Sequence, residues 1–306
     1  MHRLSAIPKS AVSILLGGLL WAGIAANAQT APAPSPAPAD TLKRIAETKT
    51  VLIGVREASI PFSYLDADKL PTGYAVDLCL KVVDQIKKTL KQPGLRPTFV
   101  VLASADRIPA LLDGRVDMEC GSTTNTTERQ KQVAFSYTYF VTGARVLARK
   151  QDRIAGLTNL RGGTVALTKG TTGERLVREA NDKERLNLSL QVLDSNDASF
   201  AAVESGAAKA FVTDDILLFG LIAKSAKPET YEVVGQYLSI EPYAIMMRKG
   251  DEPFRKVVNS TLAKLYTGGE AARIYNRWFV NNERRIPMSR RLKESFAQPS
   301  DAPAYP

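Results

Sequence analysis

Two hydroxyl side chains and one arginine follow directly after an apolar run in the first half of the chain. Residues 116–120 are mostly apolar, Ser122 and Thr124 come next, and Arg129 follows a few residues later. The guanidinium fork of an arginine matches the two oxygens of a carboxylate, and a helix N-terminus adds N–H donors and a partial positive charge. This order of groups predicts a receptor for a carboxylate rather than a catalytic centre.

A glycine-rich stretch near the middle of the chain has a phosphate-loop composition but the wrong order. Lys169 precedes Gly170, whereas a P-loop needs Gly-Lys-Ser/Thr after an upstream glycine at fixed spacing. The stretch therefore does not predict nucleotide binding. Its hydroxyls, Thr171 and Thr172, suit either a helix cap or contact with a small anion, and the local sequence favours neither role.

Histidine is absent from all but the first residues of the chain. The only histidine is His2, which lies in a segment that we expect to be removed. Without it, Ser-His-Asp triads, Cys-His pairs and histidine metal ligands are excluded. Two cysteines are too few for a structural zinc site. We therefore predict no catalytic residue, no metal and no cofactor.

The two cysteines lie on elements that we expect to pack together. Cys79 falls on a predicted helix and Cys120 on a predicted buried strand. In an oxidising compartment they would pair as a disulfide, whereas two separate buried thiols are the alternative. Spacing alone does not establish the geometry that a disulfide needs.

The N-terminus has the pattern of a cleavable export signal. Basic residues precede an apolar core at 11–24, and Ala26-Asn27-Ala28 fits a cleavage site after residue 28. The apolar core is short for a spanning helix, so we predict export to the periplasm, with a retained membrane anchor as the alternative. No cysteine lies near the cleavage site, which argues against lipid attachment.

The positive charge of the chain does not by itself identify a partner. The net charge is +10, and removal of residues 1–28 takes away two basic residues and leaves about +8. Basic residues are scattered among acidic ones, and no basic face with interleaved aromatic residues is visible. We therefore predict no nucleic-acid partner.

Strand-like and helix-like segments alternate along the chain, which predicts an α/β protein. An Ala/Pro/Ser linker is expected at 29–42, and residues 293–306 are expected to form a tail that is loose from 298. Predicted strands end at 55, 102, 120, 167, 193, 213 and 248, and predicted helices span 77–90, 107–112, 199–205, 254–267 and 270–279, with one more from 175.

Several short motifs occur in an order that resembles the solute-binding proteins of polar amino acid ABC transporters. The resemblance covers the exported chain to about residue 290, and the likeness is strongest to glutamate/aspartate-binding proteins. It rests on the joint order of Val55-Arg-Glu-Ala-Ser-Ile-Pro-Phe-Ser63, Gly73-Tyr-Ala-Val-Asp-Leu78, Ser104-Ala-Asp-Arg-Ile-Pro109, Glu119-Cys-Gly-Ser-Thr-Thr124, Glu128-Arg-Gln-Lys-Gln-Val-Ala-Phe-Ser136, Gly170-Thr-Thr172 and Val212-Thr-Asp-Asp215.

The resemblance implies a two-lobed periplasmic-binding-protein fold of type II with two crossover hinge strands. Residues 43–141 and 241–292 would form the first, discontinuous lobe, and residues 142–240 the second. Two crossings between lobes make a hinge that closes over a ligand.

The resemblance also implies a ligand set around an amino acid. Arg129, with Thr124 and Ser122, would hold the α-carboxylate, and Asp214 would meet the α-ammonium. The remaining implied contacts are Thr171 and Thr172 from the second lobe, and Arg56, Ser104 and Arg107 around a distal carboxylate.

One position departs from the acidic-amino-acid binders. They carry a histidine before the Ser-Phe of the segment that reads Asp194-Ser-Asn-Asp-Ala-Ser-Phe200 here, so Asn196 takes that place. Asparagine donates a hydrogen bond but carries no charge, which leaves glutamate, aspartate and an amide ligand open. We also expect Phe62 to contact the aliphatic part of the ligand.

Two classes of function fit these residues. The first is a monomeric periplasmic receptor that captures glutamate or aspartate and delivers it to an ABC transporter permease. The alternative is a periplasmic dehydratase-like enzyme on the same scaffold that acts on a dicarboxylate. Asp214 discriminates between them, because an α-ammonium needs an acidic partner and a substrate without that group does not.

Overall fold

The computed structural model describes residues 40–280 and 285–303. The predicted signal peptide at 1–28, the predicted linker up to residue 39 and the last three residues of the predicted tail lie outside the described residues. Within the described ranges, no helix is long and apolar enough to cross a membrane. The described residues form two α/β lobes, as the resemblance implies.

The first lobe is built on a mixed sheet of five strands in the order β5-β1-β6-β15-β7. Strands β1, β5 and β6 run parallel, and β15 runs antiparallel to β6 and β7. Its elements before the first crossing are α1 Thr41–Thr48, β1 Thr50–Val55, β2 Ala58–Ser59, β3 Ser63–Leu65, β4 Pro71–Thr72, α2 Tyr74–Thr89, β5 Arg96–Val101, α3 Arg107–Leu112, β6 Met118–Glu119, α4 Thr127–Gln130 and β7 Val133–Phe135.

The second lobe has its own five-stranded sheet, in the order β11-β10-β12-β9-β13. Strand β10 is parallel to β11 and β12, and β9 is antiparallel to β12 and β13. The elements of this lobe and of the two crossings are β8 Phe140–Thr142, β9 Ala144–Arg149, β10 Thr164–Thr168, α5 Thr172–Glu184, β11 Ser189–Leu193, α6 Asn196–Glu204, β12 Ala210–Asp214, α7 Asp215–Lys224, β13 Tyr231–Val234 and β14 Glu241–Tyr243.

The chain crosses between the lobes twice, and the two crossings pair with each other. Strands β8 and β14 form a separate antiparallel sheet in which Thr142 faces Glu241 and Phe140 faces Tyr243. The chain then completes the first lobe with β15 Met246–Arg248, α8 Glu252–Thr267, α9 Glu270–Tyr275, a π-helical turn at Asn276–Val280 and α10 Arg290–Ala297.

The core of the first lobe follows from the apolar periodicity of its elements. Leu78, Val82 and Ile86 lie one turn apart on α2 and are fully buried. Gly73 precedes this helix with φ +136°, and a Cβ there would lie 2.2 Å from the carbonyl oxygen of Phe62. Only glycine adopts that backbone conformation readily and permits so close an approach.

Phe62 belongs to this core, so its predicted contact with ligand is wrong. Its side chain is fully buried and packs edge-on against Phe140 and Tyr243, at ring-centroid distances of 4.7 and 5.1 Å. The rings of Phe279 and Tyr74 complete the cluster. An edge-to-face arrangement of this kind is favourable beyond the burial of area.

The elements that the sequence predicted are present, but several of their ends were misplaced and other elements, such as α1 and β13, were not predicted. Helix α2 begins at Tyr74 rather than 77, and α5 begins at Thr172 rather than 175. The single strand predicted to end at 248 is two short strands, β14 and β15. The predicted linker also ends too late, because Asp40 caps α1 and Thr41 opens it.

The prediction of a loose tail is wrong for the part of it that the structure describes. Residues from 290 form α10, in which Leu292 is buried and Phe296 stacks on Tyr266 of α8 at 4.2 Å. Beyond the helix, Ser300 and Asp301 form hydrogen bonds to the first lobe. The apolar residues at 292 and 296 lie one turn apart, and this spacing was the available indication of a packed helix.

A disulfide links α2 to the end of β6. The sulfur atoms of Cys79 and Cys120 are bonded, and the two residues lie 41 positions apart in sequence. Cys120 immediately precedes the segment that carries Ser122 and Thr124, so the bond fixes where that segment starts.

We predict that replacing both cysteines, Cys79→Ser with Cys120→Ser, lowers the free energy of unfolding by about 2–4 kcal/mol, because the open chain gains conformational entropy. Urea denaturation followed by circular dichroism measures the change. The same loss should follow when the wild-type protein is unfolded in a reducing agent. Equal midpoints for the oxidised and reduced protein would contradict a stabilising disulfide.

Candidate functional site

A narrow cavity between the lobes collects all ten polar residues that the sequence predicts to bind ligand. Most of these side chains are buried, and Arg129 is half-buried. Those from the first lobe are Arg56, Ser104, Arg107, Ser122, Thr124 and Arg129, those from the second are Thr171, Thr172, Asn196 and Asp214, and the structure adds Thr213 and Leu217.

The topology explains why residues so distant in sequence meet. Arg56 follows the end of β1, Ser104 follows β5 and Ser122 follows β6, and these strands are parallel neighbours. In the second lobe, Thr171 follows β10, Asn196 follows β11 and Asp214 ends β12. The carboxyl ends of parallel strands lie at one edge of a sheet, where open α/β sheets bind ligands.

Arg56 and Arg107 are held side by side by hydroxyl and carbonyl oxygens. The guanidinium of Arg56 donates to the carbonyl of Leu102 at 2.9 Å and to Ser104 Oγ at 2.5 Å. Arg107 donates to the carbonyl of Ser104 at 2.8 Å and to Thr123 Oγ1 at 2.5 Å.

These contacts fix the guanidinium planes without pairing either charge directly with a carboxylate. Burial and, next in size, the positive charge of Arg107 lower the pKa of Arg56 to about 9. An anion in the cavity would oppose both effects, because it favours the charged form of the guanidinium.

Arg129 reaches the opposite lobe. It donates to the carbonyl of Thr124 at 2.8 Å within its own segment and to the carbonyl of Gly170 at 3.2 Å across the cleft. Burial of the guanidinium, with the charge of Arg107, lowers the pKa of Arg129 to about 10. Thr126 caps the short helix α4 that carries Arg129, since its hydroxyl accepts from the Arg129 N–H.

Asp214 supplies a carboxylate to the same cavity. Its Oδ2 accepts a hydrogen bond from the hydroxyl of Tyr243, whereas its buried Oδ1 meets no donor among the residues that the structure describes. Burial and the neighbouring charge of Glu241 raise the pKa of Asp214 well above its ordinary value. A cationic group next to Oδ1 would satisfy that oxygen and favour the ionised form.

The side chains of the second lobe are oriented by local hydrogen bonds. Thr171 caps α5, because its hydroxyl accepts from the Glu174 N–H at 3.1 Å, and it also donates to the carbonyl of Thr168 at 2.7 Å. Thr171 therefore has the capping role and also lines the cavity. Thr168 Oγ1 donates to Asn196 Oδ1 at 2.8 Å, so the group that Asn196 can still offer is its amide Nδ2 donor.

A sequence model of bacterial extracellular solute-binding proteins, family 3, matches residues 51–281, which is most of the chain. The chain belongs to that family.

The curated relatives of this solute-binding protein support the same assignment. An L-glutamate/L-aspartate-binding protein of Pseudomonas aeruginosa is 42% identical over 293 residues, which cover 94% of this chain and 97% of the relative. A glutamate/aspartate import solute-binding protein of Escherichia coli is 39% identical over 293 residues, covering 94% of this chain and 96% of the relative.

One solved structure is relevant to the alternative of an enzyme. An ancestral amino acid-binding protein, a precursor of cyclohexadienyl dehydratase, is 29% identical with a TM-score of 0.67, over 78% of this chain and 99% of that chain.

Sequence reasoning missed the buried acids around the cavity of this solute-binding protein. Glu119 lies beneath Gly121, where an added Cβ would come 2.3 Å from Glu119 Oε1 and 2.8 Å from Arg56 Cγ. Its Oε2 accepts from Thr123 Oγ1 at 2.6 Å. Glu241 lies on the hinge strand β14 and is also buried. An acidic residue inside an otherwise apolar strand was the available indication.

The described residues contain no group of three or more His, Cys, Asp or Glu side chains that could hold a metal ion. The polar groups of the cavity are instead three guanidinium groups, several hydroxyls, one amide and one carboxylate. Such a set of groups is chemically complementary to a small molecule that carries both negatively and positively charged groups.

We predict that Asp214→Asn stabilises the ligand-free protein at pH 7 by about 1–3 kcal/mol, because it removes the cost of burying an ionisable carboxyl beside Glu241 yet keeps an acceptor for Tyr243. The native pKa of Asp214 is raised, so wild-type stability falls as pH rises through it. The stability that the variant gains over the wild type should therefore shrink toward about pH 4, where the unfolded state also binds the proton. Thermal melts of both proteins from pH 4 to 8 measure it, and a destabilised variant at pH 7 would contradict this account.

Proposed function

We propose that this family 3 protein binds an acidic L-amino acid, glutamate or aspartate, between its lobes and delivers it to the permease of an ABC importer. The observation that carries the proposal is the charge pattern of the cavity. Arg56, Arg107 and Arg129 present cationic donors, and Asp214 presents an unpaired carboxylate oxygen. A ligand with two carboxylates and one ammonium complements that pattern.

The positions of these groups suggest how the ligand is oriented. Arg129, with Thr124 and Ser122, would hold the α-carboxylate, and Asp214 Oδ1 would accept from the α-ammonium. Arg56 and Arg107 would then hold the distal carboxylate. The relatives named for glutamate and aspartate support this ligand class.

The pair of arginines supports an acidic side chain over an amide. Arg56 is held close to Arg107, whose positive charge, after burial, lowers the pKa of Arg56, and an anion nearby would offset that effect. Glutamine would leave that repulsion in place, whereas glutamate would offset it. Asn196 contributes a neutral donor, Nδ2, where a histidine would contribute a charge that depends on pH.

The same proposal covers where the protein acts. Export through a cleavable N-terminal segment would place it in the periplasm, and we propose that it works there as a monomer with an inner-membrane permease as partner. A dehydratase-like enzyme is the second candidate, for which the relation to the dehydratase precursor is the supporting observation. The unpaired oxygen of Asp214 favours an amino acid over a dicarboxylate that lacks an ammonium group.

Calorimetric titration of the refolded, ligand-stripped protein against the twenty amino acids tests the proposal directly. Glutamate or aspartate should bind most tightly, and prephenate should neither bind as tightly nor be converted. Tightest binding of a neutral or basic amino acid would overturn the acidic ligand, and turnover of prephenate would favour the enzyme.

We predict that Arg129→Ala weakens glutamate binding by about 100-fold or more. A hydrogen bond to a charged group contributes about 1.5–3 kcal/mol, and Arg129 would lose a bidentate contact. The matched control is Arg115→Ala, an exposed arginine of the same lobe, which should bind like the wild type. A folded Arg129→Ala protein with wild-type affinity would remove this arginine from the site.

We predict that Arg56→Met abolishes most of the preference for glutamate over glutamine while amino-acid binding persists. Methionine fills a similar volume but cannot donate to a distal carboxylate, and a site that loses a donor discriminates less. Competition titrations with both ligands measure the ratio of affinities. Arg96→Met, at an exposed position at the start of β5, is the control and should keep the ratio; an unchanged ratio in Arg56→Met would contradict the assignment.

A further inference from the structure

The residues from 290 to 303, here called the strap, pack along the first lobe. Phe296 of α10 stacks on Tyr266 with an interplanar angle of 7°, and the carbonyl of Ser300 accepts from the Thr138 N–H at 3.0 Å. The carboxylate of Asp301 forms an ion pair with Arg255 at 3.0 Å. The strap lies beyond residue 281, where the family match ends.

The strap ends against the segment that carries the proposed ligand carboxylate contacts. The carbonyl of Asp301 accepts from Asn125 Nδ2 at 2.8 Å and from Gln130 Nε2 at 3.0 Å. Gln130 Nε2 also donates to Asn125 Oδ1 at 2.9 Å. One carbonyl of the strap thus accepts from two side chains, one within the stretch from Thr124 to Arg129 and one directly after it.

That stretch needs anchors because it has little regular structure of its own. Helix α4 is four residues long, and among the described residues the one strand-like contact of residues 121–126 is a single bridge between Thr124 and Tyr243. The Asn125 N–H donates to the carbonyl of Pro242 at 2.8 Å, which ties one side to the hinge strand β14. On the other side the segment is held by the strap and by Lys249, whose Nζ donates to the carbonyl of Gln130 at 3.0 Å.

We propose that the strap holds this segment in the form that binds the ligand carboxylate, with Asn125 and Gln130 as positioning residues that act through Thr124 and Arg129. Neither residue lines the cavity. The inference rests on the proposed function for its ligand. Its physical basis is that a receptor whose competent state is only partly populated loses apparent affinity by that fraction.

The test uses Gln130→Met in the full chain. This change removes the amide Nε2 that donates to Asn125 Oδ1 and to the Asp301 carbonyl, and it keeps a similar side-chain size and the same charge. Gln132→Met, an exposed glutamine two residues further on, is the matched control. Gln130→Met should weaken glutamate binding by about tenfold, as expected for the loss of two hydrogen bonds, while the control binds like the wild type. Circular dichroism at the titration temperature establishes that each variant is folded.

A second variant changes the strap itself rather than the segment that the strap holds. Phe296→Ala removes the stacking on Tyr266, and it should also weaken binding because the strap detaches. If both residues act through the strap, the double variant should lose less affinity than the product of the two single losses. Independent, multiplicative losses would overturn the proposal.

Hydrogen exchange of the ligand-free proteins separates this inference from the proposed function. Backbone amides of residues 122–130 should exchange faster in Gln130→Met and Phe296→Ala than in the wild type or Gln132→Met. Unchanged exchange, or faster exchange with unchanged affinity, would overturn the positioning role. A wild-type protein that does not bind glutamate would overturn the proposed ligand alone, and the exchange rates would still decide the strap.

Discussion

Arg56, Arg107 and Arg129 bring three positive charges to one narrow cavity, and the repulsion among them governs how the site is built. Their direct partners are carbonyl and hydroxyl oxygens, such as the carbonyls of Leu102 and Thr124. Such partners orient a guanidinium but do not neutralise it, so its pKa falls on burial. The nearby charge of Glu119 offsets part of that effect at both Arg56 and Arg129. An anion that entered the cavity would offset more of that effect, and in the proposed function the charges are thereby a means of ligand recognition.

Two of these arginines also form hydrogen bonds from the first lobe to the second. The carbonyl of Gly170 accepts from Arg129 at 3.2 Å and from Arg107 at 3.3 Å, although it lies on the opposite side of the cleft. Gly170 has φ +74°, and a Cβ there would lie 2.8 Å from Cα of Ala105. Glycine is therefore needed both for the backbone conformation and for the approach of the lobes. A ligand that holds the arginines in place also holds the donors that reach Gly170.

The sequence predicted what is local and missed what depends on long-range packing. Arg56 follows a strand-like run, and ligands bind at the carboxyl ends of parallel strands, so its place near the cleft could be predicted without coordinates. Ser104 and Asn196 were predicted through the resemblance to the family. Phe62 was misassigned because an apolar residue beside a binding motif gives no indication of which way it points. Glu119 and the strap were missed for a similar reason, since burial of an acid and docking of a terminal helix are set by residues far away in sequence.

The segment from residue 120 to 130 carries several of the proposed ligand-binding groups, and its hydroxyls and half-buried arginine contribute little apolar packing. Contacts from elsewhere in the chain attach it, and three of them come from separate elements. The disulfide fixes its start at Cys120, the carbonyl of Pro242 on the hinge strand holds Asn125, and the carbonyl of Asp301 holds Asn125 and Gln130. Each attachment comes from a different part of the first lobe or hinge. Contacts outside the cavity therefore stabilise this segment, so the side chains that line the cavity do not have to do so themselves.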